Sequence, residues 1–425
     1  MNIPDGTLWN LAAAALVMLA LCGFALLVSG FARAQNVIHT FVAVMLLVSV
    51  GVLGYSIVGT AVQWHGASFL RFLASGPADA TALGLVRLPF LAVLAAFAVV
   101  IPAGALAERW RFSSMVVVGG VVSTTIFPLV ARSIRAGGWL ADLGVSSHLG
   151  HGVIDFGGSG AVHLVGGMVA LAGALAMGSR TGKFTHDGRP TAMPGHHVPM
   201  FMAGSLLVGV GWFGFVIGMG LPLTLAPLAT AATNTAVAAS ASVLAATAYT
   251  IWRFGTPDPS LVANAWLAGL VSISAGSVFV AGWAAALIGV VSGPLVVESV
   301  LLVERRRIDD LAGVISVHGV CGAWGLLAAG LLAGGGRYGD GLNGVSGPVR
   351  GLFYGDGAQF VAQAVGAIVV ALAVFVAAYV VFLVVGRLTG NRVPAHAERE
   401  GLDVSELGAA AYPDFVVAGP HDSAQ

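Results

Sequence analysis

The chain has 425 residues, of which only 9% are charged, against roughly 25% in a soluble domain, so a water-soluble fold is excluded. Hydrophobic residues make up 57%, mean hydropathy is +0.92 and 60 residues are Gly, the composition of membrane helices that approach closely through small side chains. A net charge of zero leaves no electrostatic footprint for nucleic acid, and two cysteines inside apolar runs, Cys22 and Cys321, supply neither a disulfide framework nor a zinc cluster.

A helical span needs about 20 apolar residues. Splitting the uncharged runs at Pro, Gly and polar clusters predicts eleven spans. They are Thr7–Ala32, Asn36–Val62, Leu88–Ala107, Phe112–Ala131, Gly157–Ser179, Val198–Gly220, Leu223–Trp252, Ser260–Gly276, Phe279–Val303, Leu311–Gly335 and Ala358–Gly386. The uncharged stretch from Ser260 to Val297 is divided because it is too long for one span and because only an odd total gives a consistent charge asymmetry. Thirteen basic residues, among them Arg305, Arg306, Arg307 and Arg387, then fall on one side, and Arg71, Arg87, Arg132, Arg135, Arg337 and Arg350 on the other. Basic residues are retained in the cytoplasm, so the amino terminus is expected outside and the carboxyl terminus inside, with no cleaved signal. The expected organisation is a transmembrane domain at 1–386, with repeat halves at about 7–179 and 198–335 and a last helix at about 358–386. A cytoplasmic tail at 387–425 follows, too short for a separate domain.

The two halves share a motif. Val162-His163-Leu164-Val165-Gly166-Gly167 in span five matches Val317-His318-Gly319-Val320-Cys321-Gly322 in span ten, and an Asp stands eight residues before each His, at Asp155 and Asp310. Five spans end in each copy; five is odd, so consecutive halves run in opposite directions, as an inverted repeat requires. Pseudo-twofold symmetry places His163 and His318 at one depth near the repeat interface. An isolated imidazolium is costly there, so the cheaper state is a neutral pair sharing one hydrogen bond, able to take a proton on one side and release it on the other. A single intramembrane His often only bonds a neighbouring helix; two at matched positions point to function. Asp155 suits either an N-cap of span five or a role at the site. Asp310, beside Asp309 and following Arg305 to Arg307, reads as part of a cytoplasmic charge cluster. His148 and His151 are solvated loop histidines or a pH-sensitive pair.

Further motifs stand in order along the chain: Gly104-Ala-Leu-Ala-Glu108-Arg109, Asp155-Phe156-Gly157-Gly158, Gly211-Trp212-Phe213-Gly214-Phe215, Leu267-Ala-Gly-Leu-Val271, Asp309-Asp310 and the tail segment Glu398-Arg-Glu-Gly-Leu-Asp-Val-Ser405. Together with the histidine segments they resemble the ammonium transporter family of Amt, Mep and Rhesus proteins, specifically its bacterial Amt branch. The resemblance implies an all-α polytopic membrane protein with eleven transmembrane helices, an inverted five-plus-five repeat and a C-terminal helix. It also implies a homotrimer in the lipid bilayer of the inner (plasma) membrane, with a narrow hydrophobic pore in each subunit and the twin His163 and His318 along it. Phe215 takes the position of the gate aromatic, and Asp155 and Trp212 support the substrate site.

The same resemblance implies an outer site that recruits ammonium through aromatic faces and a hydroxyl. Here Leu94 holds the outer Phe position, with Phe97 one turn further along the same helix. Met219 holds the Ser position, Val216 that of a common Asn, and the Trp position falls at Ile134 or Arg135. Gly313 stands where a second Asp is common. The implied function is transport of ammonium or ammonia for nitrogen uptake, with deprotonation at the outer mouth and passage of ammonia past Phe215 and the histidines. The diverged outer site keeps two alternatives open: a channel for a neutral gas, ammonia or carbon dioxide, or an ammonium sensor of the same fold. No enzymatic chemistry, cofactor, metal or nucleic-acid partner is implied. The tail resembles the segment through which bacterial relatives are regulated, which implies a trimeric PII-class signal protein as a partner.

Overall fold

A computed structural model describes residues 5–64, 82–135, 137–220, 224–334 and 339–413, so Arg71 and Arg337 lie outside the described residues. Among the described residues, ten helices are long and apolar enough to cross a membrane. They are α1 (Asp5–Phe31), α2 (Ala34–Trp64), α3 (Ala82–Leu106), α4 (Phe112–Ile134), α5 (Ser159–Met177), α6 (Val198–Met219), α7 (Leu225–Phe254), α9 (Gly282–Arg305), α10 (Ile315–Leu332) and α11 (Gly357–Leu388). The eleventh, α8 (Pro259–Ser274), has 16 residues and is the span whose separation from α9 the sequence marks least clearly. Its start is nevertheless written locally: the Asp258 carboxylate accepts from the amides of Ser260 and Leu261, at 2.8 and 3.0 Å, and Pro259 occupies the first turn, where no amide is needed.

Corresponding helices of the two halves have corresponding neighbours. The pair α1 and α6 pack along each other, α3 touches α2 and α5, and α8 touches α7 and α10. Small residues permit this closeness, for a Cβ on Gly23 of α1 would lie 2.6 Å from the Val208 amide nitrogen of α6. Helix α3 is almost wholly buried, whereas α11 leaves most of its surface to the surroundings. Four spans carry a single wide π turn, at Tyr55–Gly59, Val122–Ile126, Ser159–Leu164 and Ile315–Val320.

The expected cytoplasmic ends of the helices meet in a buried ion network. Arg180, just beyond α5, donates from Nε and Nη2 to the two carboxylate oxygens of Asp309 at 2.8 and 2.9 Å, and from Nη1 to Glu108 at 3.0 Å. Arg33, after α1, donates to Glu108 from its amide and from Nε, and Arg109 lies 3.3 Å from Asp309. Burial pushes both carboxyls up, but the guanidiniums more than reverse this, Arg180 and Arg109 around Asp309 and Arg180 and Arg33 around Glu108, so both titrate below the ordinary range. Burial brings Arg109 down to about 10, which leaves it charged at neutral pH.

Asp309 is thus the member of the charge cluster, and Asp310 is not: its carboxylate accepts from the amides of Val314 and Ile315 at 3.0 and 2.8 Å and caps α10. The tail forms two short helices, α12 (Ala395–Glu400) and α13 (Leu402–Leu407), fastened to the same face. Glu398 accepts from the amide and hydroxyl of Thr181 and pairs with Arg392. Asp403 accepts from the amides of Ile38 and His39, so the tail caps the start of α2.

Asp309→Asn removes the counter-charge of two buried guanidiniums and is expected to cost about 3–5 kcal/mol. Because Glu108 and Asp309 titrate lower in the folded protein than in the unfolded chain, their contribution is full above the unfolded carboxyl value of about 4 and declines as pH falls below it. Thermal unfolding in detergent at neutral pH and near pH 4 should show wild type losing stability on acidification and Asp309→Asn losing less. Equal melting of the two proteins at neutral pH would contradict the network's role.

Candidate functional site

The two histidines sit on the π turns that open α5 and α10. Each of these starts lies inside the protein and needs its first amides satisfied. Asp155 does this for α5, accepting from Gly160 and Ala161 at 3.0 and 2.8 Å, as Asp310 does for α10. Gly158, at φ 88°, makes the turn into α5. The wide turn rotates each imidazole towards the other half of the molecule. His163 and His318, 0% and 1% exposed, face each other with Nδ1 to Nδ1 at 3.1 Å and rings 5.1 Å apart. Among the described residues, neither Nε2 has a hydrogen-bond partner. One Nδ1 must donate and the other accept, so the neutral pair carries opposite tautomers.

The backbones below the rings touch. A Cβ on Gly167 would lie 2.2 Å from the Gly319 amide nitrogen, so α5 and α10 cross at contact distance, one turn after His163 and one residue after His318. Aromatic rings enclose the pair. Trp212 of α6 stacks on His163 at 4.7 Å and 13° and donates its Nε1 to Ser274 Oγ at 3.1 Å, which fixes the indole. Phe215 stacks on Trp212 at 4.9 Å. Phe97 of α3 stands edge-on to His163, Trp212 and Phe215 at 5.8, 6.1 and 5.2 Å, and 6.4 Å from His318. Phe24 of α1, 6.3 Å from His318, completes the ring set; neither it nor Ser274 stands out in the sequence, because nothing in an apolar helix distinguishes a pore-side ring from a lipid-side one.

The diverged positions form a second place. Arg135 and Met219 come together, Nη2 to Sδ 3.6 Å, and both line a cavity of about 30 Å³, on the side expected to face outward, with Asn10, Arg87, Phe90, Leu91 and Gly218. Ile134 is 7% exposed and packs into the core, as does Leu94 at 3%. Trp64, at the end of α2, brings its ring to 5.4 Å from the Arg135 guanidinium; the sequence places it only at a span end, where interfacial Trp is common. Trp139 is 55% exposed and is not among the cavity residues. The loop histidines have different surroundings: His148 is exposed, while His151 is 4% exposed and its Nε2 lies 3.0 Å from the Gly347 carbonyl. Gly313, at φ 74°, has Asn264 within 2.5 Å of where a Cβ would stand.

The family model of the Ammonium Transporter Family matches residues 8–412. The chain belongs to that family. Ammonium transporter Amt2 of Archaeoglobus fulgidus is 37% identical over 424 residues, which covers 98% of this chain and 90% of that protein. Ammonium transporter Amt1 of Haloferax mediterranei is 33% identical, covering 96% and 79%. Among solved structures, a sensor Amt protein superposes with a TM-score of 0.83 at 27% identity, over 94% of this chain and 98% of the other. Mep2 of Candida albicans, at 23% identity and a TM-score of 0.80 over 96% and 90%, shares the fold. This member therefore has the eleven-helix architecture of a multi-pass membrane transporter family.

A crossing this tight tests the arrangement around the pair. Gly167→Val has to push the Gly319 backbone away and should destabilise the transporter by about 1–3 kcal/mol, the usual penalty of overpacking. Gly120→Ala, where an added Cβ meets nothing within 4 Å, should melt as wild type or slightly higher. Indistinguishable melting of Gly167→Val and wild type in detergent would show that the helices are not held at this separation.

Proposed function

We propose that this transporter moves ammonium across the membrane by releasing its proton near the outer mouth and passing ammonia between the aromatic rings and the histidine pair. One observation carries the reading: a buried, mutually hydrogen-bonded pair of imidazoles contributed by matched helices of both halves. A charged ion meets a large desolvation cost in such surroundings and neutral ammonia does not, so proton and amine must part. The opposite tautomers offer one bare Nε2 and one Nε2–H, matching a solute that both donates and accepts. In this reading Phe215 and Phe97, with Leu94 behind them, gate the route, and Trp212 and Asp155 hold the His163 side of the pair. Membership of the family and its likeness to proteins named ammonium transporters support ammonium as the substrate.

Three further parts belong to the proposal: a homotrimer with one pore per subunit, an outside amino terminus with the tail in the cytoplasm of the inner membrane, and a PII-class protein docking at the tail. Recruitment of ammonium is weak, because Leu94, Met219 and Arg135 replace π faces and a hydroxyl, and each missing cation–π contact withholds about 0.5–2 kcal/mol. That same outer cavity favours, as a second reading, a sensor or a neutral-gas channel; the likeness to a sensor Amt protein is consistent with the former.

Uptake into proteoliposomes tests the proposal. His163→Ala and His318→Ala, with the oligomer and melting temperature retained, should each lower ammonium uptake about a hundredfold or more, the lower end for loss of a proton-handling group. Wild-type uptake should saturate far above micromolar ammonium. Normal uptake by both variants would remove the histidines from the route, and saturation at low micromolar ammonium would show that other groups rebuilt the outer site.

A further inference from the structure

Helices α1 and α6 share a register of glycines, and that register brings one ring to each histidine. Gly23-Phe24 and Gly30 in α1 match Gly211-Trp212 and Gly218 in α6, and within the match Leu27 stands where α6 has Phe215. Trp212 stacks on His163 at 4.7 Å, and Phe24 stands 6.3 Å from His318 at 60°. Phe24 also meets Phe97 at 6.0 Å, as Phe215 does at 5.2 Å. All three phenylalanines are 0% exposed.

The two contacts lie at different depths. A Cβ on Gly23 would meet the Gly204 and Val208 backbones of α6, whereas one on Gly214 would meet Ala13, Leu16 and Val17 of α1. Phe24 is therefore displaced from the level of Phe215 by at least seven residues of α1, about 10 Å at the rise of a helix, in the direction of Arg33 and the ion network. We infer that Phe24 and Phe97 form a second aromatic gate, on the opposite side of the histidine pair from Phe215, and that the two gates in series keep water from filing past the imidazoles.

This gate rests on the proposed route past the histidines. A route for ammonia must still exclude protons, which travel along unbroken files of hydrogen-bonded water. Water between apolar rings lacks the two to four polar partners it needs, so such a constriction empties itself. Phe97 touches five rings and serves as the common wall, while Phe215 and Phe24 belong to different helices and part from it separately. A single gate leaks whenever it opens; two in series leak only when both are open, so the open fractions multiply. Leu27 supplies no second ring on the side of the ion network, so closure there falls to Phe24.

The test contains no ammonium, so a failure here is distinct from a failure of ammonium uptake. The full chain is reconstituted into vesicles that hold a pH-sensitive dye, valinomycin and potassium balance the charge, and proton entry is followed after an acid step. Wild type should pass protons at close to the rate of protein-free vesicles. Phe24→Ala should raise the rate tenfold or more, because a minor open state is populated at about 10% or less. Phe24→Leu should raise it less, and Phe24→Ala combined with Phe215→Ala should leak more than either alone. Phe382→Ala, which removes an equally buried ring of α11 that packs on Trp110, should stay at the wild-type rate and so separates gating from a loosened fold. If Phe24→Ala does not assemble, Phe24→Leu and the wild-type rate decide. A wild type that already leaks well above protein-free vesicles, folded Phe24 variants that leak no more than wild type, or equal leak in the single and double variants would overturn the second gate.

Discussion

A helix that begins inside a membrane protein has to satisfy its first amides without water, and the architecture follows from how that requirement is met twice. Asp155 and Asp310 each fold back onto amides of the turn ahead of them, and this permits α5 and α10 to start at internal positions. The wide turns that follow carry His163 and His318, and the glycine contact just beyond lets the two helices cross closely enough for the rings to meet. The caps, the turns and the crossing form one construction. Its product is a polar pair inside an aromatic shell, at a depth where neither imidazole would persist alone.

The opposite end of the molecule is built from charge. Glu108, Arg180, Asp309 and Arg109 stand where α3 and α5 finish and α10 is about to begin, so each helix end is tied to two others by charge-assisted hydrogen bonds. Glu398 and Asp403 extend the arrangement into the tail, whose described residues lie against the ends of α5 and α2. The end that carries Arg135 differs, with arginines in a recess and no described carboxylate lining it. This asymmetry between two chemically similar halves is where the molecule departs most from its own internal repeat.

Much of this was legible in the sequence. Hydropathy along one dimension marks the long apolar runs, because burying backbone in lipid demands them whatever their tertiary partners, while the division of Ser260 to Val297 rests on the length of that stretch and on charge asymmetry. The matched Asp–His spacing foretold the meeting of His163 and His318, since a symmetry axis converts equal sequence position into proximity. Side-chain direction was not legible. Asp309 and Asp310 are neighbours in a charged stretch, yet one faces Arg180 and the other turns back onto α10, a choice made by backbone geometry that composition does not encode. Trp64 and Phe24 reach their places from helices far away in the chain, and the π turns have no residue signature of their own.

The shared hydrogen bond between the two Nδ1 atoms carries a polarity. Either imidazole can be the donor, and exchanging the roles reverses the direction in which the bare Nε2 and the Nε2–H are presented. In a perfectly symmetric pair the two forms would be degenerate. Here His163 is stacked on Trp212 while His318 stands beside Phe24, so the surroundings make the two forms unequal. A preference for one orientation supplies no free energy and cannot drive net flow. Under the proposed route, the direction of net flow is then set by the gradients on the two sides, and not by the pair or by the fixed charges of the protein.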